Sequence, residues 1–540
     1  MNVRDISGSN IGRHMENWAR EFTARRAWGE EFDPARHSFY SHSALRQFTQ
    51  VVLTGRFVDH YYMSTFETIE QSVALHRLTA TRDPGFHLAA IELARRYGLI
   101  KDQVLLGAVV RVDPRLHDVR AHSFEAHVDL LATFPPTQLL KKFIEPIRRK
   151  TLGYGMGRHV KRLVNAILDR WLREGRLRYY TAKYPTAMRD IIRMTHYPLP
   201  DDYARVLFNK PGEVRDDYLN AFLAFKELVA EKRYRDAAAV ALDYRLPYEA
   251  LRRYIPRRHR GDPDVARAFV ELATANTLAL QARSMLDSGI PAHMLAEKIE
   301  RLRVDAPVTS FTLLRAALAL LDAAGDPEHS GYAEVARALG EAYARKVART
   351  WEEAVQIPGF DIPERIILVL DASGSMEPLF RQVLAIVAPL SVRAKQLILF
   401  SDRAGEEPVE YLKSLDGIRR LLDIMATEYS HATNIADGLR AVSAEPGDAV
   451  LLVTDEQANV NTRAATEAEI IRSMTRSGVK VIIHNPETYP AHISSPLDAV
   501  TYTYGLDAES IIAALRIQAL RDLGDEETRR IVLRAVEAYS

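Results

Sequence analysis

Three short apolar runs in the last third of the chain each end in an aspartate: RIILVLD (365–371), QLILFSD (396–402) and AVLLVTD (449–455). Strands that are apolar at nearly every position, instead of every second one, must be covered on both faces. Segments of helical spacing lie between them. Strands alternating with helices give a parallel sheet wound on both sides, an α/β doubly wound fold. In such sheets a ligand is met beyond the carboxyl ends of the strands, where Asp371, Asp402 and Asp455 stand. The same pattern predicts a helix over about 378–393 and a short edge strand near VEYLK (409–413). Further helices are expected at 416–426, 434–444, 463–477 and 508–522, and strands at 479–485 and 499–505.

Before this region the texture is different. FHLAAIELARRYG (86–98), HVKRLVNAILDRWL (159–172), RDAAAVALDY (235–244) and VTSFTLLRAALALLDAAG (308–325) place apolar residues at helical spacing. Short connections rich in Pro, Gly and Asp separate them, and runs of β-branched residues are scarce. Many medium helices without a long heptad suggest stacked helix pairs of the HEAT type. The expected organisation is a lead-in over 1–40, a helical repeat domain over 41–355 and an α/β domain over 360–540. The change falls near QIPGFDIPER (356–365).

The chain has no cysteine, which removes disulfides, thiolate nucleophiles and cysteine-ligated zinc. No apolar run is long enough to span a bilayer, and the opening residues lack the apolar core of a secretory signal. A cytoplasmic protein with no membrane role is expected. The net charge of +1 hides a polarised molecule: residues 351–540 hold 18 Lys+Arg against 29 Asp+Glu, whereas the preceding 350 hold 54 against 42. A basic first part suggests a polyanion partner. Mutual neutralisation of the two parts is the alternative.

After the first apolar strand, DASGSM presents Asp371, Ser373 and Ser375 at alternate positions. Two hydroxyls and one carboxylate make part of a hard-oxygen shell. Mg²⁺ takes about six oxygens and keeps several as water. Thr433 in HATNIADGL precedes a helix, and Asp455 ends the strand LLVTD. Together these five residues could hold a divalent metal, Mg²⁺ being expected and Mn²⁺ or Ca²⁺ the alternatives. Helix capping by the same Ser and Asp residues is the competing use. DASGSM, ATN and VTD, in that order and at those strand and loop positions, resemble the metal-ion-dependent adhesion site (MIDAS) of von Willebrand factor A domains. The resemblance implies that Asp371, Ser373, Ser375, Thr433 and Asp455 bind the metal directly or through water. It also implies that a partner's acidic group can complete the shell.

The most basic segment runs from Lys141 to Arg178, with twelve Lys or Arg against Glu145, Asp169 and Glu174. Tyr154, Trp171, Tyr179 and Tyr180 interleave with them. Cations attract phosphates and planar rings stack unpaired bases, so Lys141, Lys142, Arg158, Lys161 and Arg162 are candidate RNA contacts. Simple solvation of a basic helix face is the alternative, and the spacing of Trp171 with Leu163 and Ile167 predicts core. A second cluster, RRYIPRRHR (252–260), extends the basic character. GYGMG lacks the Gly-Lys-Ser/Thr of a phosphate-binding loop, so nucleotide hydrolysis is not indicated.

GYGMGRHVKRLVNAILDRW, TAKY and RDIIRMTHYPLP resemble the centre of the TROVE module of the Ro autoantigen family, and ALRQFTQVVLTGRFVDHYYMS (44–64) resembles its early helix and Tyr-Tyr turn more loosely. That family joins a ring of HEAT-like helix pairs to a von Willebrand A (Rossmann-like) domain, in the order expected here. The resemblance implies binding of small noncoding Y RNA and of single-stranded 3′ ends of misfolded RNA. Bacterial members, called Rsr, work in RNA quality control with a 3′-to-5′ exoribonuclease. It implies RNA contacts at Lys183 and His196. The family's loop arginine has no clear counterpart in the shorter YPTAM, and Arg189 is the nearest substitute. The family's Gly-rich turn is replaced by LTGRFVDHYY. The resemblance also implies a monomer.

The expected function is therefore a non-enzymatic, RNA-binding ribonucleoprotein component that acts as a scaffold or exonuclease adaptor. One rival is a von Willebrand A-type protein-interaction scaffold with a helical solenoid and no RNA. Another is a metal-dependent hydrolase using Asp371 and Asp455, but two-metal chemistry needs a denser carboxylate cluster. No catalytic residue is assigned.

Overall fold

The computed structural model describes residues 44–54, 65–97, 102–116, 124–150, 154–324, 331–355, 363–429, 432–455, 464–486, 500–504, 511, 514, 515 and 524–537. The expected lead-in, the Tyr-Tyr turn, most of the 356–365 boundary and most of the expected helix 508–522 lie outside them. The described residues fall into two compact units.

The first unit is helical. It contains α1 (Ala44–Thr54), α2 (Thr65–Arg82), α3 (Pro84–Tyr97), α4 (Asp102–Arg111), α5 (Phe124–Leu131) and α6 (Arg158–Arg173). It continues through α7 (Arg176–Lys183), α8 (Pro185–Thr195), α9 (Asp201–Phe208), α10 (Asp217–Ala230), α11 (Tyr234–Asp243) and α12 (Tyr248–Tyr254). A later helix, Asp525–Glu537, also belongs to it and packs on α1 and α3. There Arg529 pairs with Asp83 at 2.8 Å, and the Asp525 carboxylate accepts the Leu45 N–H at 3.0 Å.

Local chemistry sets the helix ends. Pro84 and Pro185 open their helices, where a missing N–H costs nothing. Asp216 caps α10 by accepting the Leu219 N–H at 2.9 Å. Helices α8 and α9 end on His196 and Asn209 in left-handed backbone conformations, with φ of 56° and 51°.

A polar chain inside this unit joins α2, α3, α4 and α5. The Arg111 guanidinium is fully buried. Its Nε donates to His127 Nε2 at 2.8 Å, and its Nη1 donates to the Pro84 carbonyl at 2.9 Å and to His87 Nδ1 at 3.3 Å. His87 Nε2 lies 3.0 Å from His76 Nδ1, and His76 Nε2 lies 3.1 Å from Gln103 Oε1. Gln103 then donates to Ser72 at 3.1 Å. Gln103 Oε1 can only accept, so His76 donates from Nε2 and accepts at Nδ1. His87 must then donate from Nε2, which leaves its Nδ1 to accept from Arg111. From Arg111 through His87, His76 and Gln103 to Ser72 every donor points the same way, and every histidine is neutral. Phe48 stacks on His87 at 5.1 Å and meets His76 edge-on at 5.0 Å. Burial pushes the His76 ring down to about 4 and, with the Arg111 charge, His127 to about 3; it also lowers Arg111 to about 10. His87 is depressed well below its usual range by burial first, then by the charges of its neighbours.

The second unit begins with α13 (Pro263–Leu272), α14 (Ala275–Leu286), α15 (Ala292–Glu300), α16 (Ser310–Ala323) and α17 (Tyr332–Val355). The sheet follows: β1 (Ile366–Asp371), α18 (Phe380–Val387), β2 (Ala394–Phe400), β3 (Ala404–Glu407), α19 (Leu415–Ile424), α20 (Ile435–Arg440), β4 (Ala449–Val453), α21 (Ala464–Arg476), β5 (Lys480–Asn485) and β6 (Val500–Tyr504). Strand order is β3-β2-β1-β4-β5-β6, with only β3 antiparallel. Every residue of β1 and β4 is buried, as two-sided cover requires. Within the described residues the expected helices are thus present, though 378–393 is an α-helix flanked by tighter turns. One expectation is corrected: Val409–Lys413 is a 3-10 turn, and the edge strand is Ala404–Glu407. Helices α16 and α17 pair with each other, and α17 is tied to the Val409–Lys413 turn by Tyr343, whose hydroxyl donates to the Leu412 carbonyl at 2.7 Å. Helices α13–α17 and the sheet therefore share one compact unit. Among the described residues no helix is long and apolar enough to cross a membrane.

The histidine chain predicts an acid limit to stability. Folded pKa values lie below the unfolded value near 6.5, so the unfolded state binds more protons as pH falls. Stability is complete above that value and is lost below it. Three such groups withdraw up to about 4 kcal/mol per pH unit between roughly pH 6 and 4. His127→Gln, which can still accept from Arg111, should reduce that slope by about a third. Denaturant midpoints across the pH range check this.

Candidate functional site

The candidate metal residues sit where three strands end. Strand β1 is central, between β2 and β4 in parallel register, and its last residue is Asp371. Backbone bonds continue the sheet into the loops: Ala372 N–H to the Phe400 carbonyl at 2.8 Å, Asn434 N–H to the Ser401 carbonyl at 2.7 Å, and Thr454 N–H to the His484 carbonyl at 3.1 Å. Gly438 lets α20 lie flush on β2, since a Cβ there would fall 2.7 Å from the Phe400 ring. That close approach places the Thr433 loop beside the end of β2.

Asp371 is 0% exposed and Asp455 3%. Asp371 Oδ1 accepts the Ser373 N–H at 2.9 Å, and Oδ2 accepts the Thr454 hydroxyl at 2.7 Å. The Ser373 and Ser375 hydroxyls lie 3.2 Å apart. Ser375 is exposed, whereas the Thr433 hydroxyl is buried with no hydrogen-bond partner among the described residues. Burial pushes the Asp371 carboxyl up to about 6; hydrogen bonds from Ser373 and Thr454 oppose this, and the Asp455 charge adds to it. Two buried carboxylates close enough to repel, three hydroxyls beside them and one hydroxyl unsatisfied are an arrangement that a hard divalent cation would relieve. Among the described residues no group of three acids or histidines could hold a metal ion by itself, so carboxylates and hydroxyls would have to share the ligation. Asp402 is exposed and hydrogen-bonds the Ser401 hydroxyl at 3.1 Å. Thr454, which orients Asp371, was not picked out from sequence. Its only signal is its place before Asp455.

The candidate RNA contacts divide into two groups. Arg158 and Arg162 are exposed on α6 with Lys161 half-buried between them. None of the three forms an ion pair with a described residue. Lys141 is exposed on a π-helical turn, Leu139–Ile144. Lys142 beside it pairs with Asp102. Lys183 is half-buried, 3.0 Å from Glu249, with its ammonium 5.4 Å from the centres of both the Tyr179 and Tyr184 rings. Burial works against its charge, but Glu249 more than compensates and holds the pKa above the usual lysine range. Arg189 bonds Thr186 at 3.5 Å. His196 is exposed at the left-handed end of α8. Trp171 is core, donating to the Ala132 carbonyl at 2.8 Å. Of the second basic cluster, Arg253 holds the Lys183 carbonyl at 3.0 Å in the first unit. In the second unit Arg257 holds the Asp287 carbonyl at 2.7 Å.

The α/β region with this loop is a von Willebrand A-type domain: residues 346–500 match a family described as a VWA domain containing CoxE-like protein. The whole fold aligns with the crystal structure of the Deinococcus radiodurans Ro (Rsr) protein, over 88% of this chain and 100% of that one, at a TM-score of 0.62 and 16% identity. The chain thus shares the fold of that solved structure, a helical region followed by an α/β domain. The pilus adhesin SpaC of Lactobacillus rhamnosus GG aligns over 29% of this chain and 30% of its own at a TM-score of 0.21 and 16% identity, too little to compare folds. No curated protein matches the sequence.

The geometry makes the metal expectation measurable. Asp371 is ionised only above about pH 6 in the folded state, against about 4 unfolded. Its carboxyl therefore favours folding below pH 4, and that contribution is lost as pH rises through 6. Asp371→Asn should stabilise the metal-free protein at pH 7 by up to about 3 kcal/mol and abolish stabilisation by Mg²⁺ or Mn²⁺. Thr454→Val should weaken the metal by about 10–100-fold. Calorimetric titration and thermal shifts with and without metal give both readouts.

Proposed function

We propose that the protein binds RNA through its first unit and carries, in its second, a metal-assisted docking point for a protein partner. The observation that carries the reading is the set of exposed cations on α6: Arg158 and Arg162, with Lys161 between, unneutralised by any described carboxylate. Cations left unpaired on a rigid helix can release counterions from phosphates without first breaking a bond. The basic excess of residues 1–350 supports the same partner class. The likeness of fold to a Ro protein is consistent with it.

The finer reading comes from the sequence resemblance. It names small noncoding RNA of the Y class, single-stranded 3′ ends of misfolded RNA, and a 3′-to-5′ exoribonuclease recruited as partner. At the metal loop, Asp371, Ser373, Ser375, Thr433 and Asp455 would hold Mg²⁺ or a similar ion, and the ion would accept an acidic group of the partner. The hydroxyl-rich shell suits a ligand site better than a hydrolytic one, so the role is non-enzymatic. One observation favours a protein scaffold without RNA: Lys142 and Lys183 are already paired with Asp102 and Glu249.

Filter binding of a structured RNA with a single-stranded 3′ tail, across a salt series, separates these readings. Reversing Arg158, Lys161 and Arg162 to Glu should lower the salt slope by about 2, at roughly 0.7 per single-strand phosphate contact. The RNA should stay intact with purified protein and Mg²⁺. Absence of salt-dependent binding by the native protein would overturn the RNA reading.

A further inference from the structure

Three arginines on three consecutive helices of the first unit share one local geometry. The Arg162 guanidinium on α6 lies 4.8 Å from the centre of the Phe124 ring. Arg178 on α7 lies 5.7 Å from that of Tyr218, and Arg193 on α8 lies 5.4 Å from that of Phe208. In each pair the arginine is exposed and the ring beneath is half-buried. None of the three arginines forms an ion pair with a described residue. The three helices pack against one another.

A guanidinium over a ring is attracted to the ring's π face, and its planar shape lets it pack with one face on the ring. Packed in that way, an exposed guanidinium keeps its second face and its N–H edge for a ligand. Such a plane accepts a stacked nucleobase, while its edge can bond the neighbouring phosphate. Lysine offers no such plane. Lys183 shows the contrast: it also lies over rings, but Glu249 takes up its charge. A base inside a duplex is already stacked on both faces and cannot use the platform, whereas an unpaired base can. We infer that the outer faces of Arg162, Arg178 and Arg193 are stacking platforms for unpaired bases, so that the first unit selects single-stranded RNA over duplex RNA of equal charge. This rests on the RNA reading above and assigns its mode of recognition.

The test uses the full chain and conservative variants. Arg162→Lys, Arg178→Lys and Arg193→Lys together keep the charge and remove the planes. The probes are a short oligoadenylate, an RNA duplex of the same charge, and inorganic polyphosphate. The native protein should bind the oligoadenylate more tightly than the duplex. The triple variant should bind the oligoadenylate about ten-fold or more weakly, in line with the worth of a lost stack, with polyphosphate affinity and salt slope unchanged. Phe208→Leu, which leaves Arg193 but removes the ring beside its guanidinium, should weaken the oligoadenylate in the same direction. Native protein that binds oligoadenylate, with a triple variant that binds it equally well, overturns the platforms and leaves the RNA reading standing. So does an equal loss on polyphosphate. Native protein that binds no RNA overturns both.

Discussion

The carboxylate of Asp371 is buried at the end of the central strand, and much of the second unit is arranged around that fact. Strand β1 is central because β2 and β4 flank it in parallel, and the end of a central strand is the least solvated point on the sheet edge. A charge there must be held by donors from the same edge. The Ser373 N–H and the Thr454 hydroxyl provide them, and Asp455 makes the demand greater. The close seating of α20 on Phe400, possible because residue 438 is glycine, brings the Thr433 loop to the same edge. Sheet order, helix packing and the chemistry of the loop are therefore consequences of one placement.

The first unit resolves a different electrostatic problem. Its core holds a guanidinium with no carboxylate partner among the described residues, solvated by neutral histidines, two of which pass the donor direction on. A charge buried this way stays compatible with a helical core because each hydrogen bond polarises the next. On the surface, Lys142 and Lys183 have carboxylate partners, while among the described residues the α6 cations and the arginines over rings do not.

Much of the fold was legible in the sequence because two-sided burial leaves strands no polar positions and helical spacing is hard to mistake. The misread edge strand shows the limit. Val409–Lys413 alternates like a strand, but Pro408 precedes it and the segment turns. The true edge, Ala404–Glu407, has no strand-like composition and exists because β2 has an unpaired side. In the metal loop the five candidate donors were picked out by motif order. Thr454 was not, because its role depends on a hydrogen bond spanning 83 positions. The Lys183–Glu249 pair was hidden for the same reason. The grouping of α13–α17 with the sheet was also not readable, since periodicity reports the type of an element and not its neighbours.

The helix Asp525–Glu537 packs on α1 and α3 although more than 420 residues separate it from either in sequence. During synthesis those early helices leave the ribosome long before their partner exists. The surface of α1 and α3 that the later helix covers, and the Asp83 carboxylate that Arg529 neutralises, must wait through the making of the entire second unit. Completion of the first unit therefore waits for synthesis of the second, and a chain stalled before Asp525 leaves that surface open to chaperones and proteases.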